Sequence, residues 1–124
     1  MKILVVDDET DVQTLFEQRF RREVRSGEMQ LAFCYSGEQA VDYLTAHHSE
    51  IVLILSDINM PGMSGFELLR HIRTNYPTPP PTVLMVTAYG DDQSRQQAIS
   101  LGANDLLSKP LDFQALKEKL KSVV

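Results

Sequence analysis

The stretch that most constrains this chain is Leu53 to Gly65, which reads LILSDINMPGMSG. An apolar, β-branched run rises into one carboxylate, Asp57, and breaks at once into Asn59, Pro61, Gly62 and Gly65, while a helical pattern begins at Ser64. So short and apolar a run, stopped by turn residues, is the pattern of a strand buried on both faces. It ends in an acid. Residues 4 to 8 (LVVDD) repeat the arrangement, and two further apolar runs end in Thr87 and in Lys109 followed by Pro110. As parallel strands of one sheet, these runs would line their carboxyl ends along one edge, where open α/β sheets bind ligands.

The segments between them read as helices. Thr10 and Gln13 have capping-box spacing, and Val12, Leu15, Phe16, Phe20 and Val24 recur at three- and four-residue steps, predicting one amphipathic helix closed by Gly27. Its other face carries Arg19, Arg21, Arg22 and Arg25, which read as a solvated helix face rather than a docking patch. Leu31 to Cys34 form a second short strand. Ser36 with Gln39 caps a helix holding Ala40, Val41 and Leu44, after which His47 and His48 read as exposed loop residues without metal-ligand partners. Ile51 to Ser56 are the third strand. Ser64 with Glu67 caps a third helix bearing Phe66, Leu68, Leu69 and Ile72 and ending near Asn75, with His71 as a packing or surface residue inside it.

Residues 76 to 82 (YPTPPPT) hold four prolines, which remove backbone donors and force a stiff, extended surface loop. Val83 to Val86 are the fourth strand. Asp91 or Asp92 caps a helix with Ala98, Ile99 and Leu101, the weakest apolar face of the five, stopped by Gly102. Leu106 and Leu107 make a brief fifth strand, and Asp112 caps a last helix on which Phe113, Leu116, Leu120 and Val123 share a face.

Five strands alternating with five helices specify an α/β fold, a doubly wound five-stranded parallel sheet with helices on both faces. The expected strand order is 2-1-3-4-5, with the ligand at the switch point between strands 1 and 3. The 124 residues fit one domain, 1–124. A net charge of −5 argues against a nucleic-acid surface and favours a cation or a basic partner. The single cysteine, Cys34, excludes an internal disulfide and reads as a small buried apolar residue. Met1 and Lys2 run straight into a strand, with no signal-peptide pattern and no membrane-spanning stretch, so the expected setting is reducing and cytoplasmic.

Adjacent strands lie about 4.8 Å apart, so Asp7 or Asp8 should come within roughly 5 Å of Asp57. At an effective dielectric near 20 each such carboxylate pair repels by about 3 kcal/mol, so a cation is called for. Oxygen-only ligands with room for waters suit Mg²⁺, or Mn²⁺ in its place. Lys109 offsets one negative charge. If Asp57 became an acyl phosphate, its added oxygens would need donors, for which Lys109, the Thr87 hydroxyl and the backbone N–H groups beside Asn59 and Ala88 are candidates.

With order and spacing intact over nearly the whole chain, LVVDDE, SDINMPGMSG, VTAYGD and GANDLLSKP closely resemble the receiver domain of bacterial two-component response regulators, the chemotaxis-regulator type among them. The resemblance implies a three-layer α/β/α, flavodoxin-like fold and a phosphoacceptor at Asp57. It implies a sensor histidine kinase or histidine phosphotransfer protein as donor, an output domain or effector protein as target, and leaves a homodimer open. By the same resemblance Asp8 matches the metal-ligating acid, Asp7 its neighbour acting through water, and the Asn59 carbonyl a further metal contact. Lys109 and Thr87 match the phosphoryl-binding lysine and the switch hydroxyl, and the Lys109–Pro110 bond is expected to be cis. One position departs. The family commonly has an aromatic three residues before the lysine, and here that residue is Leu106, which puts an aromatic rotamer switch in doubt. Tyr89 is the nearest aromatic on the loop after Thr87, placed to shape water access. Signalling surfaces are expected on the helix after strand 4, on strand 5 and on the last helix, where apolar content is low. A Mg²⁺-dependent phosphohydrolase on the same acidic edge is the competing reading, weakened by Asn59 where such enzymes carry a second acid. A flavin domain would need a Ser/Thr/Gly phosphate loop after the first strand, and none is present.

Overall fold

The computed structural model describes residues 1–122. Five strands form one parallel sheet: β1 (Lys2–Val6), β2 (Gln30–Cys34), β3 (Ile51–Asp57), β4 (Thr82–Thr87) and β5 (Asp105–Ser108). Their order is β2-β1-β3-β4-β5, the order expected of a five-stranded doubly wound sheet. The central strands are buried on both faces, β1 from Ile3 to Val6 and β3 from Leu53 to Asp57, which is why their sequences lack polar alternation.

Six helices cover the sheet: α1 (Asp11–Arg19), α2 (Arg21–Arg25), α3 (Gly37–His47), α4 (Gly65–Asn75), α5 (Asp92–Ser100) and α6 (Phe113–Lys121), with a 3-10 turn at His48–Glu50. Alternate strand residues feed two separate cores. Leu4, Ile54 and Met85 pack with Ala40 and Leu44 of α3, Leu68, Leu69 and Ile72 of α4 and Ala98 of α5. Val5, Leu55 and Val86 pack on the other side with Phe16, Phe20, Leu116 and Leu120. Fully burying one such side chain contributes about 1.5–3 kcal/mol, so these two layers supply the main driving force.

Four helix starts carry the caps expected of their sequences. Ser36 accepts from the Gln39 amide at 3.0 Å and Ser64 from the Glu67 amide at 3.2 Å. Asp91 accepts from the Ser94 amide, and Asp112 from those of Gln114 and Ala115. Thr10 does not cap. Its backbone is already helical and its side chain makes no cap bond, while Gln13 instead reaches the Tyr35 hydroxyl.

The single helix expected from Thr10 to Gly27 is two. It breaks at Phe20 (φ −110°, ψ 21°), where the ring is drawn under the sheet to stack on Phe16 at 5.8 Å and meet Phe113 edge-on at 5.9 Å. Leu15 and Val24, expected on the buried face, are exposed to solvent. Ile99 is likewise exposed rather than core, so α5 buries Ala98 alone. His47 lies at the end of α3 rather than in a loop, half-buried against Tyr43. Val123 lies outside the described residues; Leu116 and Leu120 supply the buried face of α6.

Arg73 ties three connections together. Its guanidinium donates to the carbonyls of Gly102 (2.8 Å) and Pro81 (2.7 Å) and to Asn104 Oδ1 (3.0 Å), which also accepts from the Val83 amide. The proline-rich loop and the turn before β5 are thereby fixed to the end of α4. The Thr78–Pro79 and Lys109–Pro110 bonds are cis. No helix among the described residues is long and apolar enough to cross a membrane.

Cys34 is buried at the end of β2, and burial pushes its thiol up to about 11. Only the thiolate is nucleophilic, so the folded protein should resist a colourimetric disulfide reagent at pH 8. Modification should track global unfolding in urea, and rapid labelling of native protein would contradict the burial.

Candidate functional site

Each strand delivers its last side chain to the same edge because parallel strands end together and the chain must turn there. Asp7 follows β1, Asp57 closes β3, Thr87 closes β4 and Lys109 follows β5. Asp57 pairs in register with Val86, and Thr87 with Ser108, which puts these residues side by side. The Lys109 amide donates to the Thr87 carbonyl at 2.8 Å, extending the ladder one residue beyond β5.

Carboxylate oxygens of Asp7, Asp8 and Asp57 lie within 4.8 Å of one another. Asp7 and Asp57 are buried, 7% and 6% exposed, whereas Asp8 faces solvent, so the cluster opens outward through Asp8. Lys109 Nζ sits 3.2 Å from Asp57 Oδ2, 3.3 Å from Asp7 Oδ2 and 3.6 Å from Glu9 Oε1. One ammonium serves three acids. Burial pushes the Asp57 carboxyl above its ordinary value, Lys109 pulls it back and Asp7 pushes it further up, with the net shift upward. Burial works against the Lys109 charge, but Asp57 and Asp7 outweigh it and hold the ammonium above its ordinary value. The pair therefore remains one cation against an excess of acid.

Backbone groups fix the orientations. The Asn59 amide donates to Asp57 Oδ1 at 3.3 Å, leaving Oδ2 to Lys109, and the Glu9 amide donates to Asp7 Oδ1 at 2.9 Å. Thr87 is 2% exposed, and its hydroxyl accepts from the Tyr89 amide at 3.0 Å. Its own proton is left to donate. Asn59, Ala88 and Tyr89 are exposed around the rim, Tyr89 at 72%, so its ring stands in solvent rather than over the acids. Leu106 is buried in the core layer that holds α3, α4 and α5.

A family model described as the response regulator receiver domain matches residues 3–121. This chain belongs to that family. The receiver is 34% identical to a probable chemotaxis protein CheY of Rhizobium etli, over 99% of this chain and 92% of that protein. It is 32% identical to the transcriptional regulatory protein CpxR of Escherichia coli, over 99% of this chain but 49% of that protein. The chain thus spans nearly the whole of one relative and about half the length of the other. Among solved structures, the CheX–CheY–BeF3–Mg²⁺ complex from Borrelia burgdorferi matches with a TM-score of 0.87 at 27% identity, over 99% of this chain and 88% of that one.

Three contributors escaped the sequence reading. Glu9 joins Asp7 and Asp57 around Lys109; the unbroken DDE run was its signal. Glu38, in the first turn of α3, accepts from the Met63 amide at 3.2 Å and so holds the loop after Asp57, a contact 25 residues away that no local pattern marks. Gly65 starts α4 directly against the end of β3. A Cβ there would stand 2.1 Å from the Asp57 carbonyl oxygen and 2.7 Å from the Ile58 Cα, both backbone, so neither can yield without moving Asp57. A glycine directly after the capping Ser64 was legible as a punctuation mark but not as a steric demand.

Gly65→Ala should therefore destabilise the receiver by about 1–3 kcal/mol, the usual cost of overpacking, read from the urea midpoint. A fully stable variant would mean that α4 can withdraw from β3 without loss.

Proposed function

We propose that this receiver accepts a phosphoryl group on Asp57 from a phosphohistidine, supplied by a sensor histidine kinase or a histidine phosphotransfer protein, and so acts as the switch of a two-component phosphorelay. The observation that carries this reading is the convergence of three carboxylates within 4.8 Å with Lys109 3.2 Å from Asp57. Membership of the receiver family supports this reading.

The donor set fits a hard divalent cation. Every available ligand is oxygen, the acids outnumber the single ammonium, and Asp8 opens to water, which suits Mg²⁺ with Mn²⁺ able to substitute. Asp8, Asp57 and the Asn59 carbonyl would hold the ion directly and Asp7 through water. When bound, the ion supplies charge neutralisation for the incoming phosphoryl oxygens.

The chain's own residues do the rest. An Asp57 carboxylate oxygen bonds to phosphorus as the phosphorus–nitrogen bond of the phosphohistidine breaks, and the imidazole leaves with the electron pair. Lys109, already beside Asp57 Oδ2, turns its ammonium to a phosphoryl oxygen. The Thr87 proton and the Ala88 backbone N–H serve the remaining oxygens, for phosphoryl transfer depends mainly on such positioning and charge stabilisation. Because the Thr87 hydroxyl accepts from the Tyr89 amide, its movement toward the phosphoryl group pulls the loop between β4 and α5 with it. The helix beyond that loop buries Ala98 alone, so the population shift runs toward α5, β5 and α6 and from there to an output domain or effector protein.

Incubation with acetyl phosphate and Mg²⁺ should add one phosphate to the wild type, none to Asp57→Ala, and none in excess EDTA, as read by intact-protein mass spectrometry. Lys109→Ala should still bind the ion while losing most of the phosphorylation rate. Labelling that persists in Asp57→Ala would place the acceptor elsewhere.

A further inference from the structure

Far from the acidic edge the molecule inverts its charge. α1 runs away from Asp11 for nine residues, about 13 Å, and the break at Phe20 starts α2 (RREVR) beside the flank of α6. Arg19, Arg21, Arg22 and Arg25 thereby converge with Lys117 around a surface concavity of about 790 Å³. The single acid in it is Glu23, which is taken up by Lys117 at 3.3 Å. None of the four arginines pairs with a carboxylate among the described residues. Five cations and one acid give +4 here, so a chain of net −5 carries −9 elsewhere.

The helix ends account for part of this, since Arg19, Arg22 and Arg25 lie in last turns, where a positive charge is favourable. They do not account for Arg21 and Arg25, like charges four residues apart on one short helix, or for the convergence with Lys117. We propose that the concavity is a docking site for an acidic segment of a partner protein, two or three Asp or Glu side chains seated on the arginine forks. Guanidinium presents planar paired donors that match carboxylates two by two. A long nucleic-acid polyanion would extend past the patch onto a chain that carries −9 outside it, whereas a short acidic segment stays within it. The site is independent of Asp57.

The test is a titration of the isotope-labelled chain with octaglutamate and, as control, octaglutamine, followed by amide shifts at low salt. Octaglutamate should saturate, with shifts confined to residues 18–26 and 117, and octaglutamine should not bind. The triple variant R21Q/R22Q/R25Q should weaken binding about tenfold, the combined effect of three exposed charge pairs, while its thermal midpoint and acetyl phosphate labelling stay at wild-type levels. Arg→Lys at the same three positions should fall between, since charge remains and the fork is lost. Undiminished octaglutamate binding by the triple variant, shifts spread over the surface, or tighter binding of inorganic phosphate or a duplex oligonucleotide than of octaglutamate would each overturn the proposal.

Discussion

The structure depends on one ammonium shared among acids. Lys109 reaches Asp57, Asp7 and Glu9 at 3.2 to 3.6 Å, from the end of the edge strand β5 into the switch point between β1 and β3. Buried carboxylates a few ångströms apart are tolerable only with such a partner, because unpaired charge in a low-dielectric site is costly. One lysine cannot neutralise three acids, however, and the edge keeps a residual negative charge.

The scaffold keeps that imbalance in place by rigid means. β3 is buried along almost its whole length, so Asp57 cannot retreat along the strand. Gly65 lets α4 begin against the Asp57 carbonyl, and Glu38 fastens the intervening loop from the neighbouring helix. The β4 side is looser by construction. Thr87 is buried, but Ala88 to Asp91 are exposed and the helix that follows buries one residue, so the side of the edge bearing the hydroxyl is less enclosed than the side bearing Asp57.

The fold was legible because the two sheet faces leave different marks in the sequence. Unbroken apolar runs such as ILVV identify central strands, and four of the five helices expected from the sequence start at a capping residue that the structure uses. The convergence of Asp7, Asp8, Asp57 and Lys109 followed, since strand-end residues of a parallel sheet must share an edge. Periodicity failed where tertiary packing overrode it. Leu15 and Val24 have the spacing of core residues, yet the aromatic cluster of Phe16, Phe20 and Phe113 takes priority and turns them outward. The Glu38 contact and the crowding at Gly65 were invisible because both join segments that approach only after folding.

The Arg73 clamp sets how motion can travel. By holding the Gly102 carbonyl, the Pro81 carbonyl and Asn104 together, it fixes the trailing end of α5 to α4, while Arg95 ties the body of the helix to Asp105 and the Leu106 carbonyl on β5. The leading turn instead adjoins the Thr87 loop, where the Thr87 hydroxyl accepts from the Tyr89 amide. The segment is thus built as a cantilever, tied at its root to α4 and along its body to the edge strand, and joined at its tip to the Thr87 loop.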